Sequence, residues 1–151
     1  MKQFVRAAAL AAMLVTGAGV TGAQAQTAER NYDNGTVWTI AEIETKPGMF
    51  DEYMSYVGGT WRAIQEADKA AGYVVDYHVL AVDSPRDGEA DVILITEYKN
   101  MAAFDRPLAE NDAMMAKAFG SLPKSNQAAV ARENVRVLRG SRNARELTFL
   151  K

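Results

Sequence analysis

This chain of 151 residues has no cysteine and a single histidine. Without cysteine there is no disulfide, no thiolate metal ligand and no cysteine nucleophile. There is also no residue to carry the lipid of a lipoprotein. One histidine leaves a metal only carboxylates, and neither a D-x-D nor an H-x-x-x-H spacing occurs, so no metal site is expected. A glycine-rich phosphate loop between strand and helix is missing, as is a G-x-S-x-G nucleophile elbow. No cofactor is expected. The uncharged run Ala7 to Ala23 spans 17 residues but is diluted by Gly17, Gly19 and Gly22, which makes it a poor permanent membrane span.

That run has a different reading. Lys2 and Arg6 precede it and Ala23-Gln24-Ala25 closes it, the three-part layout of a secretory signal peptide. Residues 1–25 are read as the signal, cut after Ala25, and the product as periplasmic or secreted. Residues 26–36 read as a polar leader, and 37–151 as one domain, since about a hundred residues suffice for one core and not two. Lys2 and Arg6 are two of the 17 basic residues, so the remaining 15 against 19 acidic ones give a net −4. Basic residues gather at the other end, where Lys117 to Lys151 holds eight against Glu133 and Glu146. Arg132, Arg136 and Arg139 fall there at helical spacing. With no aromatics interleaved in an acidic exported chain, they read as a solvated helix face, paired with carboxylates of the same fold or a partner subunit. Neither nucleic acid nor, after signal cleavage, a membrane is expected as a partner.

Val37 to Glu44 is β-branched and aromatic and reads as a strand. Lys46-Pro47-Gly48 breaks it. Phe50, Met54, Val57, Trp61 and Ile64 then recur at spacings of 4, 3, 4 and 3, one buried stripe of an amphipathic helix. Gly58-Gly59 interrupt that helix at about 1 kcal/mol each relative to Ala, marking a kink or a close backbone approach. Gly72 ends it. Tyr73 to Val82 and Asp91 to Tyr98 read as a hairpin across a polar loop. Asn100 caps a second helical segment with Met101, Phe104, Leu108, Met115 and Phe119 on its apolar side, restarted at Pro107 and ended by Gly120 and Pro123. Ser125 to Leu138 reads as a third helix capped by Gly140, and Ala144 to Leu150 as a short final strand.

The order β-α-β-β-α-α-β is an α+β chain. With the extra helix set aside, it is the ferredoxin-like split β-α-β unit: an antiparallel sheet with helices on one face. The other face should be polar if wetted, yet Val75, Tyr77 and Val79 on one parity stand against Val74 and Leu80 on the other. That face needs a cover, and a second copy of the sheet provides one, making a homodimer.

On these residues the chain resembles the dimeric α/β-barrel superfamily, in which two ferredoxin-like sheets pair face to face. The resemblance rests on VWTIAEIETKPGMFDEYMSYV and EYKNMAAFD and covers about Val37 to Asp105. More narrowly, the chain is similar to small exported bacterial proteins of that fold with no assigned activity. The superfamily includes cofactor-independent monooxygenases, haem-degrading enzymes, lactone isomerases and stress-response proteins. Haem-degrading members use a histidine on a helix, and no helix here is expected to carry one. The third helix departs from the basic unit.

His78 lies mid-strand and shares a parity with Asp76, Val74 and Leu80. Tyr73, Val75, Tyr77, Val79 and Ala81 form the more apolar parity and should meet the helices. The resemblance then puts Asp76 and His78 in the barrel interior, where a histidine beside a carboxylate can shuttle protons. On neighbouring strands Trp38, Ile40, Glu42 and Glu44 share one parity, and Ile93, Ile95 and Glu97 another. Should Glu42 or Glu97 face inward with His78, an acid–base cluster results. Should strand ends or edges leave them in solvent, it does not. The plainer reading of His78 is a half-buried residue in a subunit interface. Candidate ligand-binding residues are therefore His78, Asp76, Glu42, Trp38 and Glu97, with no catalytic residue assigned. Three functions stay open: a homodimeric barrel binding a small, partly apolar ligand; a cofactor-independent oxygenase or isomerase for a small aromatic or lactone; and a structural dimer with no pocket.

Overall fold

The computed structural model describes residues 29–151; the expected signal peptide, 1–25, lies outside them. Strand β1, Tyr32–Thr45, begins inside the expected polar leader, because Tyr32 to Asn34 find partners in Leu147 to Phe149. One continuous helical stretch follows: α1, Phe50–Tyr56; a π-helical turn, Val57–Trp61; and α2, Arg62–Ala70. Strands β2, Val74–Ala81, and β3, Val92–Tyr98, form the expected hairpin. Asn100 accepts a bond from the Ala102 N–H and caps a 3-10 turn, Met101–Phe104. Helices α3, Leu108–Phe119, and α4, Leu122–Arg132, come next, then β4, Arg136–Phe149. The sheet order is β2-β3-β1-β4 with every neighbour antiparallel. This is the ferredoxin-like α+β arrangement expected from the sequence.

Successive side chains of a strand point to opposite faces. On β3 the result is plain: Val92, Leu94 and Thr96 are buried, and Ile93, Ile95 and Glu97 only half-buried. Ile43 of β1 joins Val92 and Leu94, and these meet Tyr53 and Val57 of the first helix in the core. Met54 and Trp61 pack at its edge, while Phe50 is 40% exposed. The expected stripe is thus shifted. The buried line starts at Tyr53, not Phe50, and a π turn, which spaces inward residues more widely than 3.6, carries it from Val57 through half-buried Trp61 to Gln65 and Asp68 in place of Ile64. Gly58 and Gly59 sit in that turn, and a Cβ on either would meet nothing within 4 Å. They mark a backbone irregularity, not a close approach. Buried Gln65 accepts a hydrogen bond from Thr96 at 3.1 Å, which satisfies two polar groups against each other.

Two further expectations fail. A bulge at Val75 on β2 places Val74 inside, 4% exposed, and turns Val75 out to 44%. Val74 therefore does not share a face with His78; Tyr77 and Val79 keep the helix side. The third helix starts earlier, on a Ser121 cap, and ends at Arg132. Arg136 to Leu138 belong to a long final strand because β1 offers an unpaired edge from Tyr32 to Thr45, and β4 pairs along all of it. Long-range pairing overrides the local helical pattern. Gly140 is a strand residue, and the arginine stripe is split between α4 and β4. Helix α3 leans on α2 and α4, which leaves Leu108 79% exposed and Phe104 41%.

Candidate functional site

The register places all five candidate residues on the sheet face away from the helices. Three rows cross it: Asp76, Glu97, Trp38, Ala144; then His78, Ile95, Ile40, Arg142; then Leu80, Ile93, Glu42, Gly140. Trp38, Ile40, Ile93 and Ile95 make a half-buried apolar centre. His78 is exposed beside Ile95, and no hydrogen bond joins it to a carboxylate among the described residues. Glu42 lies two strands away, about 10 Å at the usual strand spacing, and in another row.

The carboxylates of this face are engaged elsewhere. Arg142 donates to both oxygens of Glu42, at 2.8 and 3.1 Å. This fork-to-carboxylate pair holds the Glu42 carboxyl below its ordinary 4.5. Gly140 makes room for it: a Cβ there would stand 2.9 Å from Glu42 Oε2. Arg139 contacts Glu44, and Thr36 donates to Glu146 at 2.9 Å. Asp76 reaches round the sheet edge to Lys69 of α2 at 3.0 Å and accepts from the Tyr77 N–H. The Lys69 bond, then the backbone bond, lowers its pKa. Glu97 is half-buried between Asp76 and Trp38. Within one chain these residues form a face with an apolar centre and ion-paired margins. They do not form an acid–base cluster.

A second place was not singled out from the sequence. Between sheet and helices lies a cavity of about 220 Å³. Tyr53, Tyr56 and Trp61 wall it from α1 and the π turn, Arg132 from the end of α4, and Arg136 from the start of β4. Ile43 and Leu94 form part of its floor. The Arg132 guanidinium lies 4.5 Å over the Tyr56 ring, and that of Arg136 is 5.8 Å from the Tyr53 ring centre. Both are cation–π distances. Nη1 of Arg132 and Nε of Arg136 are buried without a hydrogen-bond partner. Burial pushes the Tyr53 hydroxyl up from 10.0, with Arg136 opposing, so at neutral pH it is a neutral donor. Larger hollows exist, but their cations are either paired or open to water. In the 310 Å³ one, Arg106 is bonded to Asp68; in the 650 Å³ one, Lys99 and Arg145 are exposed. The usable sequence signal was Arg132-x-x-x-Arg136, which helical spacing turned into a surface stripe. Tyr53 and Tyr56 lay off the apolar repeat that was followed.

No family model matches the chain, and no curated protein matches it. Among solved structures, HapK from Hahella chejuensis has a TM-score of 0.50 at 14% identity, covering 73% of this chain and 91% of its own. Protein SO0527 from Shewanella oneidensis has a TM-score of 0.49 at 10% identity, covering 78% and 96%. A dimeric ferredoxin-like protein from an uncultured marine organism has 0.47 at 18% identity, covering 79% and 99%. At such identities the likeness to HapK shows the ferredoxin-like fold and nothing of the chemistry.

Proposed function

We propose that the protein is an exported homodimer that binds a small, partly apolar molecule in the cavity beneath its helices. The observation that carries the binding reading is that cavity, where three aromatic side chains and two arginines converge. Ligand pockets combine apolar walls with a few placed polar groups in this way. Its 220 Å³ is below the roughly 300–1,000 Å³ of drug-sized sites and suits a ligand of one ring. Binding is favoured over the oxygenase or isomerase reading because the cavity offers donors, Tyr53 and two guanidinium groups, and no carboxylate or histidine to accept a proton. In an amide-resolved NMR titration with phenol, saturable shifts should centre on Ala41, Trp61, Leu94 and Ser141. Shifts scattered over the surface would refute the site.

The homodimer reading rests on the other sheet face. Trp38, Ile40, Ile93 and Ile95 lie there with no covering element among the described residues, and Leu80 is 46% exposed. Sedimentation equilibrium of purified protein at micromolar concentration should give twice the chain mass, and Ile95→Lys should give one chain mass. A wild-type monomer contradicts the pairing. Export rests on Lys2, Arg6, the uncharged run and Ala23-Gln24-Ala25; protein recovered from a secreting host should begin at Gln26.

A further inference from the structure

We infer that the cavity is an anion-recognising site and that its ligand is a small aromatic carboxylate held by Arg132 and Arg136. This deepens the binding reading and rests on it.

The charge balance of the cavity is the first argument. Its wall contains two guanidinium groups and no carboxylate. Three other arginines are neutralised, Arg106 by Asp68, Arg139 by Glu44 and Arg142 by Glu42, while Arg62 and Arg145 are exposed to water. Arg136 has only Glu133, at 3.6 Å and itself 59% exposed, and Arg132 has no ion pair among the described residues. A buried guanidinium nitrogen without an acceptor is unusual, and here there are two on one cavity. An anion entering the cavity supplies the missing acceptors after a small rotation of either guanidinium group.

Size and shape choose the kind of anion. At about 30 Å³ per water, 220 Å³ has room for about seven waters, too few for a nucleotide. The Arg fork matches a carboxylate with two parallel bonds. The Arg132 guanidinium carbon lies 4.5 Å from the Tyr56 ring centre, a cation–π contact that keeps the charge at the cavity wall. Tyr56 and Trp61 offer flat apolar surface for a ring. Tyr53, kept protonated by burial, can donate a further hydrogen bond to the carboxylate.

The two tryptophans make the test direct. Trp38 lies on the opposite sheet face, so a Trp38→Phe protein leaves Trp61, in the cavity wall, as the sole indole emitter. Benzoate and its neutral near-isostere benzamide are titrated against it at constant ionic strength. The expected result is saturable change with benzoate at least about tenfold tighter than with benzamide, as charge-assisted bonds to one group would give. Arg132→Met with Arg136→Met should abolish the preference, so that benzoate and benzamide bind the double variant alike. If the double variant does not fold, Arg132→Met alone should lower the preference, and Arg132→Lys should restore part of it. Equal binding of the two probes overturns the anion assignment while the cavity reading survives. Binding of neither overturns both. A benzoate preference that persists without the two arginines also overturns the assignment, because the carboxylate is then held elsewhere.

Discussion

Removing Arg106 should unfasten the second helical layer. Its side chain is 10% exposed and its Nη2 lies 2.5 Å from Asp68, itself 11% exposed. The same guanidinium stacks 4.0 Å over Tyr73 and bonds Met114 Sδ at 3.3 Å. One residue of the irregular stretch between the 3-10 turn and Pro107 thus joins α2, α3 and Tyr73, the residue before β2. Arg106→Met leaves Asp68 as an unpaired, nearly buried charge, which costs about 3–5 kcal/mol. Asp68→Leu leaves Arg106 only the half-exposed Glu110, at 4.0 Å, and so costs somewhat less. The double variant leaves no stranded charge and should lie within about 1 kcal/mol of wild type, because an apolar pair replaces a buried ion pair at little net cost. Urea unfolding measures this. With m of about 2 kcal/mol/M, the middle of the usual range, a loss of that size should lower the midpoint by roughly 1.5–2.5 M with m unchanged. The double should recover most of that. Single losses below about 1 kcal/mol, or a double equal to the sum of the singles, would refute the claim that this pair is a coupled, desolvated latch.

Gly58→Ala and Gly59→Ala should each stabilise by about 0.5–1 kcal/mol, since both sites are open to a Cβ and glycine costs about that much in a helix; a lower thermal midpoint would mean the π turn needs glycine. Gly140→Ala should displace the Glu42 carboxylate from Arg142, and carboxyl NMR should then show the Glu42 pKa returning toward 4.5. Because that pKa is depressed in the fold, its stabilising effect exists above pH 4.5 and is lost as pH falls through the folded value. Wild type and Glu42→Gln should therefore converge in acid. Tyr53 and Tyr98 have pKa values raised by burial, so the reverse sign applies: stability is intact below pH 10.0 and declines as pH climbs toward the folded values. Tyr53→Phe should shallow that decline in thermal melts, and an unchanged slope would argue against burial of the hydroxyl.

Where local pattern and tertiary pairing agreed, the sequence could be read. The β2–β3 hairpin, the Asn100 cap and the restart after Pro107 all follow from turn chemistry within a few residues, and each is in place. Parity within each strand left open whether Glu42 and Glu97 share the face of His78, and only the register across the strands puts them there. The failures share a cause. A one-residue bulge at Val75 and a wide turn at Val57–Trp61 each reset the periodicity beyond them. Periodicity alone carries no sign of such a reset. Residues 136–138 failed otherwise: their preference was set by the unpaired edge of β1, about a hundred residues away in sequence.

The same reasoning explains why the sequence pointed to one face and the cavity opened on the other. A lone histidine among carboxylates attracts notice because its chemistry is intrinsic to the residue. Arg132 and Arg136 acquire theirs from position, once α4 ends at Arg132 and the chain turns at once into β4. That turn brings two charges four residues apart against Tyr53 and Tyr56, which a continuous helix would have kept on its outer surface. The sheet then separates two tasks by parity alone. Ile40 and Glu42 look toward the uncovered face, while Ala41 and Ile43, between and beside them, look into the cavity. Under the proposed function, pairing through one face leaves the other to a ligand, so assembly does not compete with binding for the same side chains. The long β4 reaches both faces. Arg142 fixes Glu42 on the uncovered face, and Arg136, at the start of the same strand, charges the cavity.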